Sequence, residues 1–179
     1  MSKVDVIRAL YDYNEHANNR ILDAAAKLTA DDLVRQHGAS FDSVEGNLGH
    51  VEGTQMAWLQ RWTTGGNTQP TTQLGAIIGV EALSRAYERS YANLRRFLDS
   101  STEERLEGVL AYTDSRGNAF KRVLWQLLPH VANHSSYHRA ETAMALTAMG
   151  HDPGDLDYVF FEIEQDGVRE VRGPKLDWV

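Results

Sequence analysis

The chain has 179 residues, 42% hydrophobic and 24% charged, which suits one globular domain with a substantial apolar core. Its 25 acidic against 18 basic side chains leave a formal charge of −7, so it offers no basic face for a phosphate backbone and nucleic acid is not an expected partner. Cysteine is absent, which excludes thiolate nucleophiles, disulfides and thiolate metal ligands together; any metal must sit on nitrogen and oxygen.

The opening MSKVDVIRALYDYNEH scatters charges through its length and lacks the apolar run of a signal peptide. No later segment approaches the roughly 18 uninterrupted apolar residues of a membrane span, so a cytoplasmic protein without membrane contact is expected. Val4, Ile7, Leu10, Tyr11, Asn14, Ala17, Ile21, Ala25 and Leu28 recur at spacings of three and four, which predicts a first helix from about Lys3 to Lys27 with one buried face. Thr29 followed by Asp31 and Asp32 reads as an N-cap and a short helical restart, leading into a loop through Gly38 to Ser43.

Ser43 is the expected N-cap of a second helix whose inward stripe is Leu48, Val51, Gln55, Trp58, Leu59 and Trp62. Thr63-Thr64-Gly65-Gly66 stops it, and the polar stretch to Thr72 reads as a linker loop. A third helix is expected from about Val80, with Leu83, Tyr87, Leu94, Phe97 and Leu98 facing the core and Arg85, Glu88, Arg89, Arg95 and Arg96 on a solvated side. Gly108 to Phe120 places apolar residues on both sides of Asp114-Ser115-Arg116-Gly117, the pattern of a short hairpin. A fourth helix follows from about Phe120 to Ala148 and stops at Gly150. After it the chain turns back with mixed apolar and acidic character, and the last dozen residues carry no clear pattern. Long amphipathic helices with one long crossover and no repeating strands predict an all-α four-helix bundle, a single domain over residues 1–179 with a C-terminal extension.

The segment HVANHSSYHRAE, His130 to Glu141, spaces three histidines by four residues each. Residues four apart on a helix lie roughly 40° apart around its axis, so His134 and His138 share a face and could grip one ion. They also fall on the core stripe Leu124, Leu127, Val131, His134, His138 and Ala145, where hydrogen-bonded core histidines would give the same pattern. A third nitrogen strengthens the metal reading. His50, in the middle of the second helix and near the bundle interior, is the best placed of the remaining histidines; His16, His37 and His151 lie in the first helix, a loop and the region past the fourth helix. His130 is about 80° from His138 around the axis, which suits hydrogen bonding in support rather than ligation.

YNEHANNRIL at Tyr13 to Leu22, SVEGNLGHVEGTQMAWLQRW at Ser43 to Trp62, and HVANHSSYHRAE resemble the three hallmark segments of the DinB/YfiT-like superfamily of metal-binding four-helix bundles, in the same order. The hairpin and the Pro153-Gly154-Asp155-Leu156-Asp157 ending fit as well, so the likeness runs from about residue 3 to 161. Its most specific elements are L-x-H at Leu48 to His50 and N-H-x-x-x-H-R at Asn133 to Arg139. The resemblance implies that His50, His134 and His138 bind one divalent ion; zinc or nickel is expected, although three histidines suit several first-row ions, and since relatives commonly pair a homodimer is expected. Many relatives continue H-R-G-Q, whereas here Ala140-Glu141 follows. Glu141 could hydrogen-bond a ligand or the metal's water, or pair with a cation at the bundle edge.

Three neutral histidines on a dication leave coordination positions free, as in catalytic rather than closed structural sites. The resemblance implies a metal-dependent enzyme acting on a small molecule, either a transferase using a low-molecular-weight thiol or a hydrolase. The rival is a non-catalytic bundle whose ion only ties helices together. Asn14 on the inner stripe of the first helix is a second candidate for orienting substrate or a ligand, or else a structural core residue. Trp58 is expected in the core, and Arg139, about 100° from the adjacent His138, is expected to cap or pair elsewhere.

Overall fold

A computed structural model describes residues 2–65, 78–114 and 116–166. The linker expected from Gly66 to Thr72 and the final dozen residues lie outside the described residues. Helix α1 (Lys3–Ala25) opens on a capping box, with the Ser2 hydroxyl accepting from the Asp5 amide and the Asp5 carboxylate accepting from the Ser2 amide. It ends two residues before the expected Lys27, because the Lys27 and Leu28 amides tighten onto Ala24 and Ala25 and so turn the chain toward Thr29. Thr29 then caps the short α2 (Ala30–Val34) through the Asp32 amide.

Helix α3 (Val44–Thr64) starts where Ser43 accepts from the Gly46 amide and ends at Gly65, whose φ of 65° makes a left-handed cap that a side chain would strain. Helix α4 (Val80–Asp99) buries Leu83, Tyr87, Tyr91, Leu94, Phe97 and Leu98 and exposes all five of the charged residues expected on its outer side. A turn of helix, α5 (Glu103–Glu107), precedes the antiparallel strands β1 (Val109–Thr113) and β2 (Ala119–Val123). Their register pairs Val109 with Val123 and Thr113 with Ala119. The hairpin takes residues up to Val123, so α6 (Leu124–Ala148) begins four residues later than the expected Phe120. Period-two pairing with β1 overrides the helical periodicity there. The extension forms α7 (Tyr158–Asp166), and Phe161 buries its ring against Tyr13 of α1.

Helix α6 lies against both α3 and α1, and α4 packs against the same two helices, which gives the cyclic order α1, α6, α3, α4 of a four-helix bundle. No described helix is long and apolar enough to cross a membrane. The core is in two parts. One is built on Ile21, Leu48, Val51, Leu83, Tyr87 and Leu146; the other on Ile7, Leu59, Trp62, Leu94, Phe97 and Leu128. Burying such side chains contributes about 1.5–3 kcal/mol each.

Between the two apolar parts lies a polar layer. Arg139 is buried and donates to Asn14 Oδ1 at 2.5 Å, Asn18 Oδ1 at 2.9 Å and Ser136 Oγ at 2.7 Å, with its guanidinium over the Tyr13 ring. Asn14 donates in turn to Gln55 Oε1 at 2.8 Å. Arg139 does pair away from His138, and the partners it reaches are two core amides and the Ser136 hydroxyl rather than a helix cap. Neutral oxygens satisfy its donors without a carboxylate, so burial lowers its pKa. Replacing Asn14 by Leu would leave both Arg139 and Gln55 short of a buried partner. Asn14→Leu is therefore expected to destabilise by about 2–4 kcal/mol in urea unfolding. A loss below about 0.5 kcal/mol would show that the layer carries no stabilising weight.

Candidate metal site

The site sits at the level of the polar layer, where α3 and α6 face each other. His50 projects from α3, two residues beyond the buried Leu48. His134 and His138 project from successive turns of α6, on a stripe whose other members Leu124, Leu127, Val131 and Ala145 are buried. The nearest ligating atoms of the three histidines all lie within 4.8 Å of one another. His50 Nε2 and His134 Nε2 are 3.1 Å apart. Two nitrogens bound tetrahedrally to one zinc at about 2.0–2.1 Å stand about 3.3 Å apart, so this pair already has the spacing of ligands.

Protonation favours the same use. Burial, followed by the imidazoles facing them, pushes His50 and His134 down to about 4, with Glu141 partly opposing the shift on His50. Both rings are therefore neutral at pH 7, the form that binds a cation. His138 is 5% exposed and its Nδ1 donates to Glu141 Oε2 at 3.0 Å, which directs Nε2 inward. Burial alone would raise Glu141, but hydrogen bonds from Ser40 and His138 outweigh it and hold the carboxyl below its ordinary value. The Ser40 hydroxyl donates to Glu141 Oε1 at 2.6 Å. Glu141 thus touches a candidate ligand on one side and the loop before α3 on the other, and no cation pairs with it among the described residues.

That loop also supplies a wall. The Phe41 ring stacks on His50 with centroids 3.7 Å apart and planes at 17°, and it meets His138 edge-on. Its position depends on Gly46: a Cβ there would lie 2.1 Å from the Phe41 carbonyl oxygen, against backbone that cannot yield. Asp42, with φ 63°, turns the chain between Phe41 and the cap Ser43. Phe41 and Ser40 carried no periodic or motif signal, because a loop's contacts are set by its fold and not by its spacing. Tyr137 covers His138 from the solvent side, edge to face at 4.8 Å.

His130 does not join the three. It is exposed, its ring centroid lies 5.9 Å from that of His134, and it meets Trp58 edge-on at 5.2 Å. Trp58, expected in the core, is half-buried on the flank of the site. His16 faces Glu164 and Phe161 on the far side of α1, and neither His37 nor His151 belongs to the cluster. Asn14 is 1% exposed with its amide engaged at both ends, so it supports the layer behind the site.

Two outcomes follow from this geometry. Glu141→Ala frees the His138 ring and is expected to weaken zinc or nickel binding about 10–100-fold in competition with a chelator. Unchanged affinity would remove Glu141 from the site. In the metal-free protein, His50 and His134 resist protonation down to about pH 4, whereas the unfolded chain takes up those protons near pH 6.5. Stability should then fall as pH drops from about 6.5 toward 4 and be insensitive to these groups above that window. Thermal unfolding in chelator measures the slope, which should shrink in His134→Gln; an identical slope in both proteins would contradict the assignment.

The comparisons with known proteins agree with this architecture. Protein DinB of Bacillus subtilis (strain 168) is 25% identical over 154 residues, covering 83% of this chain and 89% of that protein. The DinB family matches residues 1–170, which takes in every described helix and all three clustered histidines. On that match, the chain belongs to the DinB family.

Proposed function

We propose that the chain holds one divalent first-row ion, zinc or nickel, on His50, His134 and His138, and is a metal-dependent transferase that acts on a low-molecular-weight thiol. The observation that carries this reading is the donor count. The cluster has three members among the described residues, and the nearby carboxylate of Glu141 is engaged by His138 and Ser40. A closed structural site would supply four protein donors. Here the fourth position falls to an exogenous group, and the partial exposure of His50 and His134 gives it a way in.

When bound, such a dication lowers the pKa of a coordinated thiol or water toward neutrality. The side chains hold and shape the site around it. Neutral imidazoles leave the ion's charge uncompensated, Glu141 fixes the His138 ring, and Phe41 and Tyr137 pack on the His50 and His138 rings. Thiol transfer is preferred over hydrolysis because a coordinated thiol, once its proton has passed to solvent, attacks an electrophilic acceptor without a protein base. Hydrolysis of an amide needs a proton delivered to the leaving group, and the carboxylate beside the cluster already serves His138.

The test pairs elemental analysis with an activity screen. The purified protein is expected to carry about one equivalent of zinc or nickel, and His50→Ala to lose it. The loaded protein should consume a small thiol in the presence of an electrophilic acceptor, with the variant at background. Absence of metal after incubation with both ions would defeat the site. A metal-loaded protein that cleaves amides without any thiol would make it a hydrolase instead.

A further inference from the structure

Arg61 is a buried cation that the site described so far does not use. It is 8% exposed, its guanidinium lies over the Trp58 ring at 4.7 Å, and its Nε is buried without a partner. No carboxylate lies within ion-pair distance of it among the described residues. Asp114 is the acidic group that influences it, but that carboxylate is committed to the hairpin turn, accepting from the Arg116 and Asn118 amides and from Asn118 Nδ2. Its terminal nitrogens have no hydrogen-bond partner among the described residues and reach solvent, so the outer edge of the guanidinium is left to receive an anion.

Its position is aligned with the three histidines. Arg61 follows His50 by eleven residues, about three helical turns, so the two sit within roughly 20° on one face of α3 and about 16 Å apart along the axis. Between them on that face stand the small residues Thr54 and Ala57. Across the seam, α6 runs the other way and sets His138, His134 and His130 in a row that leads toward Arg61. His130 is exposed, and it contacts Trp58, which is only half-buried, so the seam is open to solvent midway along this line. Beyond it, Trp58 meets Tyr112 of the hairpin, where a depression of about 400 Å³ is bordered by Gly65, Tyr112, Phe120 and Lys121.

From this alignment we infer that Arg61 is a specificity-determining residue: it receives a carboxylate of the thiol substrate, with the Trp58 indole and the His130 imidazole flanking the chain that links that carboxylate to the sulfur. The inference rests on the thiol reading above and names the substrate class, an elongated thiol acid. The Trp58 face presses on one side of the guanidinium and leaves its edge to form the paired charge-assisted bonds that a carboxylate accepts. It also accounts for the even spacing of the α6 histidines, since His130 continues the line past the ligands toward the charge.

The probes are short and long ω-mercaptoalkanoates and the corresponding ω-mercaptoalcohols, added to cobalt-loaded protein and followed by sulfur-to-cobalt charge-transfer absorption. The long carboxylate is expected to bind about tenfold more tightly than its alcohol, with no such preference among the short pair. Arg61→Gln should abolish the preference while leaving affinity for the alcohol unchanged; Arg61→Lys, which keeps charge and bulk but not the fork, should retain part of it. Equal binding of the long acid and alcohol to the unsubstituted protein, or an undiminished preference in Arg61→Gln, overturns the assignment and leaves the thiol reading intact. A second readout needs no thiol: a long alkanoate should shift the His130 ring resonances, identified with His130→Gln, and Arg61→Gln should remove the shift. That result without any thiol coordination would keep the carboxylate site and discard the thiol reading; no shift at all would discard the site.

Discussion

Two imidazole nitrogens held 3.1 Å apart across the seam between α3 and α6 are the contact on which the functional reading depends. Helices approach this closely only where their side chains interlock, and Leu48 and Val51 of α3 are buried in one apolar cluster with Ala145 of α6. Burial keeps both rings neutral, which removes the repulsion that two imidazolium ions would suffer and leaves lone pairs available to a cation. A metal bound there would add its binding energy to the fold, because the unfolded chain offers no preformed equivalent.

What holds the seam in register is the polar layer behind it. Arg139, adjacent to His138, ties α6 to α1 through Asn14 and Asn18, and Asn14 ties α1 to α3 through Gln55. Three helices thus meet through directional bonds at the level where the histidines meet through their rings. An apolar layer of equal volume could stabilise the bundle as much, but it would fix rotation about the helix axes less sharply. The loop before α3 completes the enclosure from outside, where Gly46 lets Phe41 approach and Ser40 reaches Glu141.

Much of this was legible in the sequence where the reason is local. Helix periodicity and the caps Thr29 and Ser43 located the bundle, and the spacing of His134 and His138 placed them on one face. The start of α6 is ambiguous in the sequence because Phe120 to Val123 suits either a strand or a helix, and pairing with β1 decides between them. Glu141 stood out through its departure from the family pattern, but its two partners could not be read, since Ser40 is a hundred residues away. Arg139 and Arg61 were the least legible. A charged residue on an amphipathic helix is ordinarily solvated, and only tertiary packing buries most of these two side chains.

The central claim is that three histidines from two helices hold one ion and leave a position open. X-ray absorption of the zinc-loaded protein tests it most directly. The account predicts three imidazole nitrogens at about 2.0–2.1 Å and a lighter oxygen scatterer that is displaced by added thiol, with a zinc–sulfur distance of about 2.3 Å replacing it. A first shell of four protein donors that thiol leaves unchanged, or one with fewer than three imidazoles, would contradict it.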